Sequence, residues 1–185
     1  MRNSLNLSFL LLLILPALSF ARTNNTDGST AIESTINSVE NKSQYTLPMA
    51  IPNTQQERQE LISKLSAVSE PQQKKKLYLT RLAFLTNQPS ALLVDIEVLE
   101  KEMESLRELL PKDTELMAAY GSLVAFKTTF YLDNLSKLSV LSRQGNRLMD
   151  RAIKLDPKHL GARLQRGIAC AHMPSFVRRA RYAVE

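Results

Sequence analysis

The sequence has no tryptophan, one cysteine, two histidines and five glycines among 185 residues. With Cys170 alone, no disulfide can form within the chain, so an exported fold of this sequence must rest on packing. Cys170 reads as a small apolar residue buried in a helix, the other reading being an intermolecular or reactive thiol. Two histidines and one cysteine do not supply the four ligands of a structural zinc site. Cys170, His172 and Met173 form the one cluster of soft ligand types, and on a helix His172 leaves the face that Cys170 and Met173 share. No metal and no cofactor is expected. A nucleophilic Cys or Ser would need a positioned base, which His172 is badly angled to supply. His159 reads as an exposed residue beside the Asp156-Pro157 turn. No glycine-rich phosphate loop is present either. The chain is therefore expected not to be an enzyme, and a small enzyme or metal carrier centred on Cys170 is the weakest reading.

The first 21 residues combine Arg2, the apolar run Leu7 to Leu15, Pro16 and the small-residue exit Ser19, Phe20, Ala21. That order is a secretory signal peptide with cleavage after Ala21, an uncleaved anchor being the alternative. No cysteine lies near the exit for a lipid tether. Export to a bacterial periplasm follows as the expected location. Residues 22–53 are rich in Asn, Thr and Ser and poor in apolar side chains, the composition of a flexible leader. Asn24 and Asn41 fit the glycosylation acceptor pattern, which matters only in a eukaryotic host.

The chain carries 24 basic and 18 acidic residues, a net charge of +6. Removing Arg2 with the signal peptide leaves +5. The balance is uneven: residues 53–111 hold eight basic and nine acidic side chains, residues 143–185 ten and three. An anionic partner would be felt at the C-terminal end.

Residues 54–185 read as one all-α domain. Thr54 and Glu57 make a capping box, followed by a helix to about Val68. Ser69 can cap a second helix from Pro71 to Thr86, whose Lys74-Lys75-Lys76 run reads as a solvated face, a phosphate or lipid site being the lesser reading. A third helix, Ser90 to Leu110, lines Ile96, Leu99, Met103, Leu106 and Leu110 on one side and leaves an acidic back that reads as solvated, an acidic groove for a basic partner being the other reading. Pro111 ends it and Asp113 caps the fourth. Gly121 in a helix interior costs about 1 kcal/mol relative to Ala, which close approach of a neighbouring helix would explain. Residues 131–134 are either a break or a stretch the fourth helix runs through. The stretch Gly145 to Gly167 is where the organisation is clearest: a helix with Leu148, Ala152 and Leu155 on one face, a stop at Asp156-Pro157, and a helix presenting Leu160, Leu164 and Ile168. Pro174 opens a last helix with Phe176, Val177, Ala180 and Ala183 as its inner face.

Gly145, Ala152 and Pro157 lie at the small, small and Pro spacings of the second helix of a tetratricopeptide repeat, with Met149 at its large apolar position. Gly167 follows Pro157 at the distance the next repeat sets, and Leu116, Tyr120, Gly121 and Val124 match a repeat start. Residues 113–185 thus resemble a divergent tetratricopeptide-like exported bacterial protein. Gly121 and Gly145 are 24 residues apart against about 12 in the strict motif, so these two helices are expected to be long. The resemblance implies stacked antiparallel helix pairs and a non-catalytic scaffold for protein–protein interaction, taking a protein or peptide on Tyr120, Arg143, Arg147, Arg163 and Arg166. The alternative is attachment to an anionic membrane or envelope surface through Arg178, Arg179 and Arg181. Nucleic acid is not an expected partner, because the basic-aromatic interleaving of RNA modules is missing. The final helix is either a cap, a truncated repeat, or an open end that a partner or a second copy completes.

Overall fold

The computed structural model describes residues 45–171, and in them six α-helices follow one another. They are α1 (Gln55–Leu65), α2 (Pro71–Thr86), α3 (Leu93–Leu109), α4 (Thr114–Phe126), α5 (Leu135–Leu155) and α6 (Leu160–Ala171), with a short 3-10 turn at Lys127–Phe130. The all-α class holds for this part of the chain. The signal peptide, the leader up to residue 44 and the helix expected from Pro174 lie outside the described residues.

Most boundaries are set by local chemistry. The Thr54 hydroxyl accepts from the Glu57 amide while the Glu57 side chain accepts from the Thr54 amide, a complete capping box. For α2 the cap is Glu70 rather than Ser69: its carboxylate accepts from the Gln72 and Gln73 amides at 3.0 and 2.7 Å. Asp113 caps α4 through the Leu116 amide at 2.9 Å. The chain does break at residues 131–134. The helix tightens into the 3-10 turn, Phe126 and Phe130 meet edge to face, and Asn134 opens α5 by accepting from the Lys137 amide.

The centre of the domain is α4, not the stretch from Gly145 to Gly167. Every residue from Thr114 to Ala125 is buried, and α4 touches α2, α3, α5 and α6. A helix apolar on all sides needs neighbours on all sides. On one flank it closes a core of large side chains with α2 and α3, including Leu79, Leu82, Ile96, Leu99, Met103 and Leu123. On the other flank it meets α5 and α6 through Ala118, Ala152 and Ala162 beside Met117.

Small residues along that second seam let backbones approach, and this turns the large ones outward. A Cβ on Gly145 would stand 2.5 Å from the Gly121 carbonyl oxygen and 2.8 Å from the Ala125 nitrogen. The close approach that Gly121 predicts is therefore real, and Gly145 is its counterpart. The expected inner faces are corrected accordingly. Leu155, Leu164 and Ile168 are 58%, 51% and 46% exposed, while α5 buries Gly145, Met149 and Ala152 and α6 buries Gly161, Ala162, Arg166 and Cys170.

The middle of the lysine run is not solvated. Lys75 is buried, its ammonium 2.8 Å from the Asp113 carboxylate and 2.9 Å from that of Glu115. Glu115 is buried as well, and its other oxygen accepts from the Met49 amide at 2.9 Å. Gly161 lies against the same carboxylate: a Cβ there would come within 2.6 Å of Glu115 Cδ. One ion cluster thus joins α2 to the first turns of α4 and α6.

Met49 belongs to a strap, residues 45–53, that composition assigns to the flexible leader. The Thr46 amide donates to the Lys158 carbonyl at 3.1 Å and the Leu160 amide donates to the Thr46 carbonyl at 2.8 Å. This parallel bridge is laid on the turn before α6. Met49 and Ile51 pack on the core, and Arg58 Nε donates to the Pro52 carbonyl. Residues 45–53 thus pack with the helices that follow Thr54. His159, expected to be exposed, is buried beneath the strap at 9% exposure.

Candidate protein-docking groove

The acidic back of α3 is not simply solvated, because part of it is spent on neighbours. Lys127, just after α4, reaches Glu100 at 2.5 Å and Glu97 at 3.5 Å. Arg81 on α2 pairs with Glu102. Burial pulls the Lys127 ammonium down, but its hydrogen bond to Glu100 and the charges of Glu100 and Glu97 outweigh this and hold it above the usual lysine range.

Further along α3, Glu104 and Arg107 face α5 across an open groove of about 540 Å³. Tyr120 of α4 contributes to its lining, and from α5 come Val140, Arg143, Gln144, Arg147 and Leu148. Three helices build it for separate reasons. Tyr120 is fixed because α4 is packed on every side. Residue 107 follows the core residue Leu106, so its side chain leaves the apolar face at the edge that borders α5. Val140, Arg143, Arg147 and Leu148 share one side of α5 by helical spacing.

The Arg107 guanidinium lies over the Tyr120 ring, 4.5 Å from its centroid. That stacking joins a planar cation to the negative face of the ring and fixes the fork where it borders the groove. Tyr120 is 4% exposed. Burial raises its phenol above the ordinary range, Glu104 and Glu100 push the same way, and Arg107 and Lys127 oppose them. Arg143 Nε donates back to the Ser139 carbonyl at 3.3 Å. No carboxylate comes within salt-bridge distance of Arg107, Arg143 or Arg147 among the described residues. Lys75, Arg81, Lys127 and Arg166, which are also held between helices, each face one.

Of the five residues the sequence nominates for partner contact, the structure brings Tyr120, Arg143 and Arg147 together. The other two go elsewhere. Arg166 is buried, 3.8 Å from Asp150 on α5, because it shares the inner face of α6 with Ala162 and Cys170 at four-residue steps. Arg163 donates to the Pro157 carbonyl at 2.7 Å and serves the turn. Glu104 belongs to the acidic face that the sequence offers as a solvated back or a groove, whereas Arg107 was not legible as a groove residue, although it is the one arginine in an acidic helix. Arg178, Arg179 and Arg181 lie outside the described residues, as do His172 and Met173. Cys170 is fully buried.

Fold and groove together define an all-α domain built of packed helices around one buried helix, with a charged cleft between α3 and α5. No protein-family model matches the chain, and no curated protein or solved structure does so either.

Proposed function

We propose that this chain is a non-catalytic, exported helical-repeat scaffold that binds another protein or a peptide in the groove between α3 and α5. The observation that carries the reading is the convergence of Arg107, Arg143 and Arg147, none of them ion-paired among the described residues, around a rigidly seated Tyr120. A domain gains nothing in stability from like charges brought together on one face. The repeat-like character draws support from the contact of Gly121 with Gly145 and from Ala152 in the seam with α6, residues that the resemblance places at small positions of the tetratricopeptide motif. Export to the periplasm rests on the signal-like first 21 residues.

The test is a pull-down from envelope extract with the mature chain and with a variant carrying Arg107, Arg143 and Arg147 all changed to Ala. Loss of specific partners from the variant supports the groove as the docking face. Retention of every partner removes the groove from consideration.

A further inference from the structure

We infer that the groove takes an acidic peptide segment, its carboxylates held on the α5 side by Arg143 and Arg147 and at the floor by Arg107. This rests on the reading of the groove as a docking face and names the chemistry that would fill it. Arg143 and Arg147 are four residues apart on one helix, an arrangement that repels when empty and becomes favourable once an anion sits between them. Guanidinium forks match carboxylates in two-point geometry, and Arg107 is already held by Tyr120, so it has less freedom to lose on binding. Val140, 55% exposed, and the partly buried Leu148 add an aliphatic strip among these charges, suited to an apolar side chain of the same segment.

The two walls decide which polyanion fits. Helix α3 carries six acidic and two basic residues, whereas α5 carries five basic and one acidic. A membrane surface or a nucleic acid presents anions across a broad front and would have to lie against Glu104 of α3 as well. Glu104 stands at the groove itself. A peptide can place carboxylates toward Arg107, Arg143 and Arg147 and a neutral or basic group toward Glu104, and so meet both walls. The geometry selects a short, one-sided acidic segment.

The experiment is fluorescence anisotropy on the mature chain with a labelled peptide of alternating Glu and Leu and its Gln-Leu counterpart. The acidic peptide binds, and the amide version binds about tenfold or more weakly, since each charge-assisted pair is lost. Arg143→Gln with Arg147→Gln gives a loss of similar size. Lys112→Gln with Lys158→Gln removes the same net charge from exposed turns and changes affinity less than about twofold. Three results overturn the proposal: absent or charge-independent peptide binding, an equal loss in the turn-lysine variant, or equally arginine-dependent binding to phosphatidylglycerol vesicles. The docking reading itself falls only if the triple-arginine variant retains its partners in the pull-down, so the two can fail separately.

Discussion

Gly121 and Gly145 meet backbone to backbone where α4 crosses α5, each so placed that a Cβ on it would stand within 3 Å of the other's carbonyl oxygen. The contact fixes how deeply α5 sits against the central helix, and with it the width of the groove one turn away at Arg147 and Leu148.

Gly145→Ala tests this contact against intrinsic preference. Alanine improves helix propensity by about 1 kcal/mol, but the new methyl meets backbone atoms that cannot rotate aside, and overpacking of this kind costs typically about 1–3 kcal/mol or more. The expected outcome is net destabilisation of about 1–2 kcal/mol in urea denaturation. A stabilised variant would show that the helices are free to separate.

Lys75 gives a sharper contrast. Replacing it with Met leaves Asp113 and Glu115 side by side without their cation, and breaking a buried ion cluster costs about 3–5 kcal/mol. Lys74→Met and Lys76→Met, on either side, should stay within about 0.5 kcal/mol. Three equal effects in thermal denaturation would place Lys75 in solvent.

Among the described residues three groups are held above their ordinary range, and all three act in one direction at high pH. Burial raises Tyr78, with Glu102 adding to it against Arg81. Burial likewise raises Tyr120, while Lys127 is raised by Glu100 and Glu97 against its burial. A folded-state value above the unfolded one contributes stability that is complete below the unfolded value and lost as pH rises through the folded one. Stability should therefore be flat up to the ordinary tyrosine value of 10.0 and decline above it. Tyr120→Phe should flatten that decline, and denaturation midpoints across an alkaline series measure it.

The strap should register in hydrogen exchange. The amides of Thr46, Met49 and Leu160 are each tied to a partner in a sequence-distant element and should exchange slowly. Removing residues 45–53 takes Met49 and Ile51 away from the core they cover, and the loss expected from two half-buried side chains and four hydrogen bonds is about 2–3 kcal/mol. Unchanged stability after truncation would mean the strap is only resting on the surface.

Helix ends were legible in the sequence because their signals are local: Thr54 with Glu57, Asp113 with Leu116, Pro157 after Asp156. The Gly121 contact was legible too, since glycine inside a helix asks for a reason. The burial of Lys75 was not, because three consecutive lysines point 100° apart and nothing local says which one meets carboxylates on another helix. Leu155, Leu164 and Ile168 misled for a related reason. Periodicity finds the large apolar stripe, while this seam is closed by Gly and Ala. Arg166 carried a usable signal, the four-residue steps Ala162, Arg166, Cys170. The groove was half visible: Tyr120, Arg143 and Arg147 come from adjacent segments in the chain, whereas Arg107 reaches it only through the packing of α3.

The bridge between Thr46 and His159 also orders events in time. The strap leaves the ribosome first, yet its partners in the turn before α6 are made more than a hundred residues later. Closing so long a loop is slow and brings its return only once α6 is in place. Until then Thr46 lacks its bonds to the Lys158 carbonyl and the Leu160 amide. Seating of the strap is thus a late step of maturation, and a chain halted before Leu160 would present a half-closed face to whatever handles unfinished chains.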